Sequence, residues 1–355
     1  MINICVLNPN YYKSSGVTKV IESIYDGLKI THPEYNFYFV DCEYGSQLTR
    51  KEWHEGKNIF TLQLMALNPV KLFIELFKFK LFIKKNKTDL IHIHHRRFVL
   101  IFGILSFFFN AKFLYTSHLT YKSNLFFRLI ARLPCIAISE SVKQNLVETT
   151  SSKDITLLGN PVNFSDFTVN IESYFSNSAV TIGRLSEVKG INYIIDAFSL
   201  LHKKGLYKSL IIVGEGEDEW SLKEKVKSLN LDKYIIFVGY TDNINKYIDN
   251  ACFNILHSRL EGLGLVTVEA ASRFKATLVS NVDGSRDTVP NNIKLPNLVP
   301  FANVEVLADN LEIWFNNPQL VKNDSYLFHD YLKNKYSSEF VVEGYHIKYM
   351  DLINE

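Results

Sequence analysis

The sequence has no apolar run long enough to cross a bilayer. Its most apolar stretch, Phe98 to Phe109, is about a dozen residues, against the roughly 20 that a spanning helix needs. It shows no leader signature: a strand-like run, Ile2 to Leu7, follows Met1 with no basic segment and no small-residue cleavage site. Cysteine is scarce, at 4 of 355 residues. Cys5, Cys42, Cys135 and Cys252 are widely spread, none in a CxxC pair, and each lies in an apolar run. That pattern argues against a disulfide framework or a zinc site and reads as buried free thiols in a reducing compartment. A cytoplasmic location is the expectation. There is no internal repeat and no low-complexity tract. Formal net charge is only +2, and no nucleic-acid partner is expected.

The small net charge hides an uneven split. Residues 1–165 carry 20 Lys+Arg against 12 Asp+Glu; the remainder carries 19 against 25. A basic half can face an anionic membrane or a phosphorylated lipid; ordinary scatter of surface charge is the competing reading. Between Lys71 and Lys87, lysines alternate with Phe73, Phe77, Phe79 and Phe82. At 100° per residue, Lys71 and Lys78 fall roughly opposite Lys80, Lys84 and Lys87, so the simple pattern of an interfacial helix is absent. Peripheral membrane contact and a half-buried helix with snorkelling lysines both stand.

Hydrophobic residues make up 47% and charged residues 21%, as in an ordered globular protein, and the length accommodates two cores. Short apolar runs alternate with amphipathic ones. Strands are expected at 2–7, 36–41, 90–94, 112–116, 135–138 and 156–158, then at 179–182, 209–213, 235–238, 253–256 and 276–279. Helical patterns include 17–28, 142–149, 191–203 and 221–228. Continuous rather than alternating apolar strands indicate parallel sheets covered on both faces. Two such series in tandem predict two doubly wound α/β domains, 1–165 and 166–337, with a polar linker at 160–177.

Ser258 to Ala271 is the most informative stretch. Glu261 stands in a glycine-bearing loop, Gly262-Leu263-Gly264-Leu265, and Glu269 follows eight residues on, inside an apolar helical run. Glycines allow close backbone approach, a helix start suits a phosphate, and a carboxylate further on accepts from a sugar diol. Gly183-Arg184 end another strand, with Lys189-Gly190 just before a helix. A guanidinium and an ammonium at a strand's carboxyl edge can neutralise a diphosphate. Gly214-Glu215-Gly216 lacks the third glycine of a dinucleotide fingerprint and reads as a tight turn near a base. Tyr240 closes a strand edge and reads as a nucleobase contact or an aromatic lid.

In the first half, Ser15-Gly16 form a strand-to-helix turn that could face a phosphate or an acceptor, or be a plain turn. His92, His94, His95 and His118 lie at strand ends. His92 and His94 share a face, but no carboxylate or cysteine nearby completes a metal site. A substrate-facing role is favoured for His118. No Asp-x-Asp pair occurs anywhere, so a departing diphosphate must be met by Arg184, Lys189 and a helix N-terminus.

These residues together resemble the GT-B glycosyltransferases, specifically the retaining glycosyltransferase family 4. The resemblance covers the whole chain and is densest from Val180 to Asp287. The family's E-x7-E element corresponds to Glu261 and Glu269, its G-R-L-x3-K-G element to Gly183, Arg184, Leu185, Lys189 and Gly190, and its G-x-G turn to Gly214 and Gly216. It implies two Rossmann-like domains facing a central cleft, with a last helix, about 338–355, crossing back onto the first. It also implies retaining, metal-independent transfer from a nucleotide-diphosphate sugar, with no cofactor. Arg184 and Lys189 would hold the diphosphate, Glu261 and Gly262 to Leu265 the sugar and phosphate, and Glu269 the ribose. His118 would lie near sugar and acceptor. Two departures stand out: Ser15 replaces the first of two usual glycines, and Asp283-Gly284-Ser285-Arg286-Asp287 replaces a Gly-Gly pair before a glutamate. The expected acceptor is a glycan or lipid-linked oligosaccharide of a bacterial surface polysaccharide, and the donor a UDP-sugar. A nucleotide-sugar epimerase and a non-catalytic donor-binding subunit are the alternatives.

Overall fold

The computed structural model describes residues 1–9, 16–42, 58–64, 68–122, 125–164 and 169–355. The chain divides into two units: Met1–Pro161 with Ser338–Glu355, and Val162–Ser337. The change of unit thus falls at Pro161, four residues before the end of the first domain read from sequence.

The first unit holds a seven-stranded sheet of β1 (Ile2–Asn8), β2 (Tyr35–Asp41), β3 (Asn58–Thr61), β4 (Leu90–Ile93), β5 (Lys112–Ser117), β6 (Cys135–Ala137) and β7 (Ile155–Leu157), in the order β3-β2-β1-β4-β5-β6-β7. Every pairing is parallel. The second holds β8 (Ser178–Ile182), β9 (Ser209–Val213), β10 (Ile235–Gly239), β11 (Asn254–Leu256), β12 (Thr277–Ser280) and β13 (Leu298–Val299), in the order β10-β9-β8-β11-β12-β13, again parallel. Each sheet therefore carries the 3-2-1-4-5-6 order of a Rossmann-like sheet, which is the GT-B pairing of two such units. The order reverses between β1 and β4 and between β8 and β11, so each unit has one switch point.

Continuous burial explains the strands. Ile4, Cys5, Val6 and Leu7 of β1 are all fully buried, as parallel strands under helices on both faces must be. The crossover helices bury one stripe each. Gly16–Thr31 buries Val20, Ile21, Ile24, Tyr25 and Leu28; Ile191–Lys203 buries Ile194, Ile195, Phe198 and Leu201. All four cysteines are buried and free. Among the described residues no helix is long and apolar enough to cross a membrane.

The last helix, Ser338–Asn354, belongs to the first unit. It buries Val341, Val342, Tyr345, Tyr349 and Leu352. Its Lys348 ammonium donates to Asp154 at 2.5 Å, and Gly27 leaves room for Val342.

The helix Pro69–Lys85 resolves the phenylalanine–lysine segment. Phe79, Phe82 and Ile83 face inward. Val70, Phe73, Ile74, Phe77 and Leu81 recur every three or four residues on the outer face and are exposed, Phe73 to 72%. At 100° per residue, Lys71, Lys78 and Lys85 border that stripe on one side and Lys80 on the other, while Lys84 falls within it near its C-terminal end. Lysines thus flank an outward apolar stripe, the pattern sequence periodicity alone had hidden because the inward face is apolar too.

Candidate active site

The second unit gathers its chemistry at the β8/β11 switch point, where ligands of open α/β sheets bind. After β8 the chain runs through Gly183 and Arg184 to a short 3-10 turn, Glu187–Lys189, and Gly190 opens the helix Ile191–Lys203. After β11 it runs through His257 to Glu261 and Gly264, which opens the helix Leu265–Ser272. The two loops are locked together. Arg259 N–H donates to Val188 O at 2.7 Å. Gly190 has φ 60°, and a Cβ there would lie 2.2 Å from His257 O, so only glycine fits.

This lock brings the Lys189 ammonium to 2.5 Å from Glu261 Oε1. The carboxylate side chain is 10% exposed and the lysine side chain 28%, so the pair is shielded on one side and open on the other. Gly284 supports it from below. It has φ 78°, and a Cβ would sit 2.5 Å from Glu261 O. The departure noted at Asp283–Asp287 therefore keeps the one glycine that backs the Glu261–Gly262 backbone, while Arg286 pairs with Asp283.

Arg184 is placed differently. It is exposed, and its Nε donates to Glu217 Oε2 at 2.9 Å. Glu217's own backbone N–H and then Arg184 hold that carboxyl below its ordinary range. Gly214 N donates to Gly239 O at 2.9 Å and Leu185 N donates to Glu215 O at 2.9 Å, so the ends of β8, β9 and β10 zip backbone to backbone, and a Cβ on Gly216 would lie 2.2 Å from Leu185 O. Tyr240 is exposed; its N–H donates to Glu215 Oε1 and its phenol to Asp242 Oδ1 at 2.7 Å, which pushes the phenol up to about 12. Gly262 and Leu263 are buried, Leu265 starts the helix, and Glu269 lies half-buried within it.

In the first unit, Ser15 lies outside the described residues. Gly16 begins its helix exposed, and no atom of the described residues lies within 4 Å of where a Cβ would stand. His118 ends in a buried chain of polar groups. His118 Nε2 is 3.0 Å from His94 Nδ1, and His94 Nε2 is 3.1 Å from the Tyr25 hydroxyl. Tyr25 and Tyr349 hydroxyls each lie 2.7 Å from His92 Nδ1, and His92 Nε2 is 2.7 Å from Thr116 Oγ1. Three histidines packed together must be neutral: burial lowers His92 and His94 well below 6.5 and His118 to about 4. His92 and His94, whose roles sequence left open, thus belong to the hydrogen-bond chain that ends at His118. Sequence reasoning missed Tyr25, Tyr349 and His257. Tyr25 sat inside an apolar stripe and Tyr349 in the tail, so nothing local marked them. His257 was legible as a residue just past a strand end; Ala302 N–H donates to its Nε2 at 3.2 Å, and burial lowers it to about 4.

This arrangement accounts for the similarities to known proteins. Residues 175–326 match the family described as glycosyl transferases group 1. That segment is similar to group 1 glycosyltransferases. It contains every residue from Gly183 to Glu269 assembled above, and the whole chain has relatives of the same fold. A glycosyltransferase from Rickettsia africae superposes with TM-score 0.84 at 20% identity, over 99% of this chain and 98% of that one. Anabaena HepE in complex with UDP and glucose does so with TM-score 0.79 at 15% identity, over 99% and 100%. The capsular polysaccharide biosynthesis glycosyltransferase CapM of Staphylococcus aureus is 25% identical over 236 residues, 62% of each chain. The chain spans less than two thirds of the length of the curated relatives it matches.

Two outcomes follow from this geometry. Gly190→Ala forces a methyl against His257 O at a left-handed φ and should destabilise the second unit by about 2–3 kcal/mol, seen as a lower unfolding midpoint. The neutral histidines give a pH dependence. Their folded pKa values lie below the unfolded value of about 6.5, so unfolding takes up protons as pH falls. Thermal stability should be level above about pH 6.5 and decline toward pH 4; calorimetric melts that stay level over that window contradict it.

Proposed function

We propose that this chain is a retaining, metal-independent glycosyltransferase that moves a hexose from a UDP-sugar to a glycan or lipid-linked acceptor in the assembly of a bacterial surface polysaccharide. The observation that carries this reading is the Lys189–Glu261 pair at the β8/β11 switch point. Likeness to HepE in complex with UDP and glucose, and to CapM of capsular polysaccharide biosynthesis, supports it.

On this reading the Lys189 ammonium gives one N–H to Glu261 and keeps two for the donor diphosphate. Arg184 leaves its exposed pair with Glu217 to add a guanidinium fork. Glu261 holds the sugar, the Gly262–Leu265 backbone the sugar and phosphate, Glu269 the ribose hydroxyls, and Tyr240 borders the base. Neutral His118, held by His94, presents its remaining ring nitrogen, Nδ1, to the acceptor. The bond from the anomeric carbon to the diphosphate oxygen breaks as the acceptor oxygen bonds on the same face. The acceptor's proton passes to the departing phosphate oxygen. Catalysis then rests on stabilising charge on that phosphate, which is why it depends on fixed cations. The acceptor side includes the membrane: the outward stripe of helix Pro69–Lys85, bordered by lysines, suits an anionic bilayer surface.

Incubation with radiolabelled UDP-glucose, UDP-galactose and UDP-N-acetylglucosamine, each with bacterial lipid extract, tests the reaction. Transfer should occur with at least one donor, and Lys189→Ala should lower kcat about 100-fold with the far-UV spectrum unchanged. No transfer with any donor, while a control enzyme works, sinks the reading. For the membrane face, the double variant Phe73→Ser/Phe77→Ser should bind phosphatidylglycerol vesicles about tenfold more weakly in sedimentation; undiminished binding contradicts it.

A further inference from the structure

The first unit has its own cationic cavity at the carboxyl edge of its sheet, beside its switch point. His95, Arg96, Arg97, Tyr121, Lys122 and Phe127 line a space of about 460 Å³, and among the described residues no carboxylate lines it. Arg96 and Arg97 are half-buried. They occupy the first turn of the helix Arg96–Leu105, which has no acidic residue there. Cations at that end oppose the helix dipole, so the local field there favours an anion. The cavity is built rather than incidental. The Arg96 guanidinium stacks 4.1 Å above the Phe127 ring and 5.0 Å from the Tyr121 ring. Tyr121 is fixed in turn: its N–H donates to Asn145 Oδ1 at 2.8 Å, and Asn145 Nδ2 donates to its carbonyl at 3.0 Å. Stacking of this kind holds the plane of a guanidinium while leaving its N–H edge for a ligand. Two lining residues lie close in sequence to the His94–His118 pair: Tyr121 is three residues beyond His118, and His95 follows the His94 that bonds it.

We propose that this cavity binds a phosphate group of the acceptor, so that the substrate receiving the sugar is phosphorylated close to its reactive hydroxyl. Two guanidinium forks and an ammonium match the several oxygens of a phosphate better than the two of a carboxylate. This inference rests on the glycosyltransferase reading only for the word acceptor; the anion site itself does not depend on it. The phosphate could belong to a lipid-linked diphosphate or to a water-soluble phosphate ester, and the two sources are separable.

Calorimetric titration of the full chain, with UDP present, tests this with three probes: sn-glycerol 3-phosphate, farnesyl diphosphate and glucuronate. At least one phosphate probe should bind, and whichever of the two binds more tightly identifies the source. Arg96→Gln/Arg97→Gln should weaken that binding about tenfold or more, whereas Lys189→Ala should leave it unchanged. Lys122→Gln, at an exposed position, should weaken it severalfold and serves if the double variant is unfolded by circular dichroism. Glucuronate should bind much more weakly than the phosphate. The proposal is overturned if neither phosphate probe binds, if the variants bind like the wild type, or if glucuronate binds equally. Phosphate binding lost in the arginine variant alongside no sugar transfer by the wild type would refute the glycosyltransferase reading while leaving this site standing.

Discussion

Contact between Lys189 and Glu261 is the constraint on which the second unit's site depends. A carboxylate as buried as Glu261 is costly without a partner, and the lysine that satisfies it comes from a different strand's loop. For the two to meet, the loops after β8 and β11 must run in backbone contact. That demands Gly190 against His257, Gly284 beneath Glu261, and the Arg259–Val188 hydrogen bond. The parallel order that makes β8 and β11 neighbours supplies the frame. A site that reads in sequence as two motifs far apart is, in three dimensions, one clamp.

Much of this was legible beforehand, and for a physical reason. Buried parallel strands such as β1, β4, β8 and β9 are continuous apolar runs, and their period and length announce them. Two edge strands escaped. β3, Asn58–Thr61, has only two apolar residues, Ile59 and Phe60, and β13 is two residues between Pro296 and Pro300; neither stands out as an apolar run. In the site, Lys189 and Glu261 were found through spacing and flanking glycines. That they bond to each other was not, because sequence says nothing of which loops pack. Arg184 carries the opposite lesson: its partner Glu217 lies 33 residues on, in the turn after another strand, and no spacing joins the two.

The first unit is organised by burial of polar groups rather than by an ion pair. His92, His94 and His118 share a core with Tyr25 and Tyr349, and each hydrogen bond fixes the tautomer of the next ring. The last helix contributes Tyr349, so the residues farthest along the chain help to orient one near its first third. The same unit also holds a compact group of cations, with no acidic lining among the described residues. Neutral base and fixed cations lie at one sheet edge, which is how a unit could hold a charged molecule while leaving a nearby hydroxyl free to react.

The central claim is that Lys189, held by Glu261, supplies the positive charge for a nucleotide diphosphate without a metal. Calorimetric titration of UDP in the presence of a chelator measures it most directly. The account predicts binding to the wild type that weakens about tenfold or more in Lys189→Ala. Binding that requires an added divalent cation, or that is equal in the variant, would contradict it.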